Sequence, residues 1–289
     1  MTPSLFAVQL LNGVEYGLLL FLVASGLTII FGVLGVLNFA HGSFYMLGAY
    51  LAYWLAERTG SLLFAAVLGL PAMVLVGWVV ERLAISRLYA RDHLSQVLLT
   101  YGLVLVFNDL QRALFGNEVH GVPTPQALGG SIALGQMQSW PVYRIFTSAA
   151  CICIALGMRQ IILGTRFGMR VRAGASNAEM VEALGIDVRR LFSSLFTAGA
   201  VLAGLSGMLA SPLTTVYPGM GESVLIVSFV VVVIGGVGSI KGAFLGALLV
   251  GISDTFGKVL LPGFSSAIVY AVMAAVLVFR PRGLLGLQG

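Results

Sequence analysis

The sequence predicts an all-α polytopic membrane protein, and three observations carry that prediction. Mean hydropathy is +1.00. Hydrophobic residues make up 58% of the 289 and charged ones only 9%, against about 25% charged in soluble globular domains. The apolar runs are about 18 to 23 residues long, enough to cross a hydrocarbon core of about 30 Å as helices. The alternating ten-residue segments of a β-barrel are absent from the sequence. A net charge of +5 would suit nucleic acid, but the charges follow the loops between apolar runs, so the lipid bilayer is the expected partner.

The runs place about nine helices, near 8–32, 39–56, 62–81, 95–115, 141–162, 191–211, 223–238, 242–260 and 265–280, or eight if one weak span merges. The chain reads as one transmembrane domain, 1–289. The first basic residue is Arg58, so the first run lacks the positive start of a cleavable signal and reads as a permanent span. It carries Asn12 and Glu15 one turn apart on one face. A charge in a bilayer is costly, and no local partner is evident for Glu15, so this pair is a candidate for a water-filled path. Gly35–Asn38 reads as a break within a longer element that joins the first two helices. There Asn38, His41 and Gly42 form an NFAHG segment, either a tight turn with Asn38 capping the next helix or a polar break tolerated beside a cavity.

In the fourth helix Asp109 and Arg112 stand at i,i+3. In the eighth, Asp254 and Lys258 stand at i,i+4 in the favourable acid-first order. Both read as self-neutralising pairs. The fifth helix holds Cys151 and Cys153, read as small apolar packing residues. Small residues recur every four positions: Gly13 and Gly17 in the first helix, Gly199, Ala203 and Gly207 in the sixth, and Gly238, Gly242 and Gly246 at the eighth. Such stripes let helix backbones approach closely where no hydrophobic drive joins them.

Between the fifth and sixth helices lies a polar, Arg-rich segment, Thr165–Arg190, which cannot lie in hydrocarbon. With Arg159 just upstream it accounts for six of the chain's 16 basic residues. It reads as two short helices, the second over Asn177–Leu184 with Gly185 as a C-terminal cap. Its apolar face suits a docking helix better than a solvated loop. Arg82, Arg87 and Arg91 fall in another loop, and Arg280 and Arg282 at the C-terminus. The positive-inside rule unites the three groups only if the N-terminus is outside and the C-terminus cytoplasmic. The Phe115–Trp140 loop, with Pro123, Pro125, Gly129 and Gly130, then falls outside.

No catalytic constellation is present in the sequence. His41, His93 and His120 are widely separated, and no metal-binding spacing occurs. The nearest approach to a phosphate-binding loop, Gly251–Lys258, has the wrong spacing and is followed by Val259 where Ser or Thr is needed. The chain is therefore expected to be no enzyme and to bind no metal or cofactor itself.

Four stretches carry a resemblance: GLTIIFGVLGVLNFAHGSFYMLGAY (26–50), TRFGMRVRAGASNAEMVEALGIDVRR (165–190), VYPGMGESV (216–224) and VVIGGVGSIKGAFLGALL (232–249). In this order they resemble the membrane-spanning subunits of branched-chain amino acid ABC importers, the LIV-type permeases, and specifically the H-type subunit. The resemblance implies a second homologous permease subunit, two cytoplasmic ATPase subunits that use ATP–Mg, and an extracytoplasmic substrate-binding protein in a bacterial inner membrane. It also implies that Glu182–Gly185 is an EAA-type coupling motif within a cytoplasmic segment of about 163–190. The ATPase-docking residues would be Arg172, Ala173, Asn177, Glu182, Ala183 and Gly185. The substrate would pass along Asn12, Glu15, Asn38, His41 and Gly42, with Gly238, Gly242 and Gly246 packing helices. LIV-type permeases are also similar to those of urea and short-amide importers, and nothing in the spans separates these substrates. A self-sufficient carrier or channel is the reading from a different class; it would require coupling acids at mid-membrane, whereas most acids here lie near span ends.

Overall fold

The computed structural model describes residues 2–89, 91–133 and 139–286. Eleven α-helices follow in chain order among them: α1 (Pro3–Ile29), α2 (His41–Thr59), α3 (Leu62–Leu83), α4 (His93–Phe115), α5 (Val142–Gly164), α6 (Arg166–Ser176), α7 (Ala178–Ala183), α8 (Val188–Ala210), α9 (Met220–Gly235), α10 (Ile240–Leu260) and α11 (Ser265–Phe279). Six helical stretches are long and apolar enough to cross a membrane: α1 with its continuation to Leu34, α3 with its continuation to Arg87, and α4, α5, α8 and α10. The chain is thus an all-α polytopic membrane protein. A count of nine also takes in α2, which is more polar, and the shorter α9 and α11.

Polar side chains start most of these helices. Ser61, Asp92, Thr165, Asn177, Asp187 and Ser239 each accept a hydrogen bond from a backbone N–H in the turn that follows, satisfying donors that have no intrahelical partner. The Phe115–Trp140 loop contains one feature the sequence did not signal, a short antiparallel pair of β1 (Ser131–Ala133) and β2 (Ser139–Pro141). Residues 134–138 of that loop lie outside the described residues.

Two helices form the centre. α1 is continuously buried from Gly17 to Ile30, and it packs on α10, α8, α9 and α5. α8 packs on α1, α2 and α3. Their close approach rests on glycine. A β-carbon on Gly17 would sit 2.8 Å from the Ala247 carbonyl oxygen, and one on Gly26 would sit 2.7 Å from that of Gly199. At α10, Gly242 and Gly246 face α9, while Ala247 and Gly251 face α1. Gly238 is corrected. It stands before α10, in the turn from α9, with φ +77°, and it meets Gly32 of the first helix. Peripheral helices leave large apolar side chains outward, among them Leu98, Val106, Leu114, Leu156 and Val278. This is the expected surface of a bundle solvated by lipid.

The three Arg groups meet at one end of this bundle. Glu81 at the end of α3 is bonded to Ser193 near the start of α8, α6 touches the continuation of α1 at Ile30–Leu34, and Leu284 and Leu285 pair with Ile234 and Gly235 at the end of α9. The opposite end carries the His120–Val216 bridge and the contact of Trp140 with Asn12.

Candidate translocation path and docking segment

The path region begins where α1 ends. Its last residues, Ile30–Leu34, widen into a π-helical turn, and Gly35 leaves the helix with φ +66°. The chain then doubles back. The His41 ring, at the first residue of α2, donates from Nε2 to the Val23 carbonyl at 3.0 Å. Val23 lies 11 residues before Leu34, or about 16 Å along the helix. Residues 35–40 therefore re-enter the bundle, and α2 starts near its mid-depth. Irregular backbone at such depth must be satisfied by protein. Here α4 does so: Leu37 N–H donates to Gln96 Oε1 at 3.3 Å, and Thr100 Oγ1 donates to the Leu37 carbonyl at 3.3 Å.

The NFAHG residues lie in this segment, with Asn38, Ala40, His41 and Gly42 buried and Phe39 partly so. Asn38 does not cap α2. The N-cap is Ala40, without a side-chain bond, and both polar atoms of the Asn38 amide, like His41 Nδ1, have no partner among the described residues. The reason is geometric: the chain arrives at α2 in a bend in which the Asn38 carbonyl, not its side chain, accepts the His41 N–H. Gly42 is a packing residue. A β-carbon there would lie 2.1 Å from the Gly221 carbonyl oxygen, so the first turns of α2 and α9 abut. α9 is thus a second helix that begins inside the bundle, opened by Gly219 with φ +81°.

Asn12 and Glu15 are not left facing an open cavity. Arg144 of α5, a residue the sequence reading passed over, donates to Glu15 Oε2 at 2.7 Å and to Asn12 Oδ1 at 3.0 Å, and Trp140 Nε1 adds a 2.9 Å bond to Asn12. Glu15 is 2% exposed. The partner is 129 residues away, so no local spacing could reveal it. The two local pairs form as expected, Asp254–Lys258 at 2.5 Å and Asp109–Arg112 at 3.7 Å.

The Arg-rich segment folds into two short helices as its pattern indicates. Thr165 and Asn177 cap α6 and α7. After α7 the chain turns at Gly185, φ +81°, with Ile186 N–H returning to the Val181 carbonyl. Gly168, Val171, Gly174 and Val181 face inward, whereas Met180, Glu182, Ala183 and Leu184 are exposed, Leu184 at 73%. Arg172 reaches back to the Ile162 carbonyl, and Ala173 is exposed. A cleft lined by Phe167, Arg170, Gly185, Ile186, Asp187 and Arg190 opens beside it.

Two further polar clusters went unread. Glu81, 2% exposed, accepts from Tyr89 at 2.8 Å and from Ser193 at 2.6 Å, joining the loop after α3 to the helix that leaves the Arg-rich segment. Burial, then the adjacent Glu81 carboxylate, pushes the Tyr89 phenol above its ordinary pKa. The second cluster joins Asn108 of α4 to Glu222 of α9, with Nδ2 donating to Oε1 at 2.8 Å.

Helices that begin at mid-depth, and a polar segment between two spans at one end, define a polytopic membrane protein. The chain belongs to the family described as the branched-chain amino acid transport system / permease component, which matches residues 9–279. It is 29% identical to the high-affinity branched-chain amino acid transport system permease protein BraD of Pseudomonas aeruginosa, over 96% of this chain and 95% of that protein. It is equally 29% identical to LivH, the permease protein of the same description from Escherichia coli, over 97% of this chain and 96% of that protein. A more distant relative is LivM of Escherichia coli, 24% identical over 91% of this chain and 67% of that protein. No solved structure matches the chain.

Proposed function

We propose that this chain is the H-type membrane permease subunit of an ATP-driven importer that moves branched-chain amino acids across a bacterial inner membrane. The match to BraD and LivH across nearly the full length of both chains carries the reading. The chain forms a single transmembrane domain that pairs with a second, homologous permease, for which the likeness to LivM is the support. An extracytoplasmic binding protein delivers the substrate, and two cytoplasmic ATPase subunits that use ATP–Mg supply the energy. The N-terminus is outside and the C-terminus cytoplasmic, because the end of the bundle that gathers the Arg groups belongs inside.

The residues divide the work. Segment 163–190 docks the ATPase: α7 offers Glu182, Ala183 and the exposed Met180 and Leu184, Gly185 turns the chain, and Arg172, Ala173 and Asn177 set its approach. Movement of this segment is passed to α8 directly, and to α3 through the Ser193–Glu81–Tyr89 bonds. The two packings of the bundle are then biased by whatever the ATPases bind more tightly. Asn38, His41 and Gly42, where α2 and α9 meet, line the path at mid-depth. Asn12 and Glu15 act with Arg144 and Trp140 as a clamp at its outer end.

A mild-detergent pull-down of the tagged chain from its native membrane tests the assembly. Recovery of a second polytopic permease and two ATPases is expected. A homo-oligomer without ATPase would instead make the chain a carrier or channel.

A further inference from the structure

The VYPGMGESV stretch places a carboxylate where the bilayer tolerates none. Glu222 lies in the first turn of α9, immediately after Gly221, which packs against Gly42 at the mid-depth start of α2. Its partner Asn108 fixes the depth independently. Asn108 stands 15 residues into α4 and seven before Phe115, so Glu222 lies about 10 Å inside the end of that helix opposite the Arg-rich end. The position is therefore within the bilayer, in the half of the bundle remote from the docking segment.

Three observations bear on its role. Glu222 is exposed at the surface of the chain. Among the described residues no Lys, Arg or His pairs with it; the ion pairs are those of Asp109, Glu15, Asp187 and Asp254. Its side-chain partner among the described residues, Asn108, is only 8% exposed and donates to Oε1. A carboxylate exposed at membrane depth without a cationic partner among the described residues is costly against lipid and marks a solute or ion pathway. Ile226, one turn further along α9, is 50% exposed, an aliphatic surface next to the carboxylate. That combination suits a small molecule with a cationic head and an apolar body.

We propose that Glu222, positioned by Asn108, is the group on the translocation path that receives the ammonium of the amino acid, with Ile226 alongside the amino acid's side chain. This inference rests on the function proposed above. It places the face of α4 and α9 that bears Glu222 on the aqueous path, not against lipid.

The test uses the whole importer, with both permeases, the ATPases and the binding protein, in proteoliposomes loaded with ATP and supplied with radiolabelled leucine. E222Q is expected to assemble fully and keep binding-protein-stimulated ATP hydrolysis within about twofold of wild type, while leucine uptake falls by about tenfold or more, so that ATP spent per leucine rises. E222D, which keeps the charge, should recover part of the uptake. Uptake by E222Q within about twofold of wild type would overturn the assignment. So would loss of the second permease from the E222Q complex, which would make Glu222 an intersubunit contact. A second measurement does not depend on turnover. E222C in a chain with Cys151 and Cys153 replaced should react with a membrane-impermeant thiosulfonate added outside, and resistance to it in the assembled importer would also overturn the assignment. If the wild-type importer assembles but takes up no leucine, it is the branched-chain reading itself that fails, and the ammonium assignment falls with it.

Discussion

Gly48→Ala tests whether backbone contact between helices holds this bundle together. Gly48 is inside α2 and faces α8. A β-carbon there would lie 2.1 Å from the Gly204 carbonyl oxygen and 2.6 Å from both its carbonyl carbon and its Cα. These are backbone atoms, so no rotamer can yield. Reaching an ordinary carbon–oxygen contact of about 3.3 Å requires the helices to part by about 1.2 Å. Overpacking of this kind costs about 3 kcal/mol at the upper end of its usual range. Alanine returns about 1 kcal/mol of helix propensity, leaving a net loss of about 2 kcal/mol. Gly102→Ala in α4 is the control. Nothing lies within 4 Å of its β-carbon, so the same chemical change should stabilise by up to about 1 kcal/mol. Reversible unfolding of the purified chain in mixed micelles, titrated with a denaturing detergent, reads both. Opposite signs are expected. A Gly48→Ala chain as stable as wild type would refute the argument that the α2–α8 contact is set by bare backbone.

Removing Arg144 should expose the cost of burying Glu15: R144M is expected to lose about 3 kcal/mol in the same titration, while the E15L/R144M double variant recovers most of it. Equal stability of R144M and wild type would show that the clamp contributes nothing. At the docking segment, G185D forces an L-residue to φ +81°, and E182K reverses an exposed charge; each should cut ATP-driven uptake by about tenfold, the equivalent of about 1.4 kcal/mol of lost docking, with membrane insertion unchanged. Normal uptake by assembled variants would remove α7 from the coupling role. For topology, R87C and R170C in a cysteine-free chain should label only from the cytoplasmic side, and labelling from outside would invert the orientation.

Among these positions, those legible in advance share a local cause. Asp254 and Lys258, the two short helices around Asn177, and the cap at Gly185 all depend on contacts within a few residues, which a one-dimensional pattern records. The Gly13/Gly17 and Gly199/Gly207 stripes were legible as well, since a helix repeats every 3.6 residues and a packing face recurs with it. Gly238 misled because its spacing continues the α10 stripe even though the helix starts two residues later. Asn38 misled because capping preference is a local statistic, whereas a chain returning into the bundle takes its bonds from α4.

The sequence by itself determined that the chain is a helical membrane protein, where its spans and polar segment fall, and which family it resembles, because hydropathy and periodicity are properties of consecutive residues. Only the tertiary structure decided that Arg144 answers Glu15, that Gln96 and Thr100 hold the re-entrant Leu37, and that Asn108 holds Glu222 at membrane depth on the surface of the chain. Each of those pairs joins residues tens of positions or more apart. In a bilayer, where water cannot satisfy a polar group, the choice of partner is made by which helices pack together.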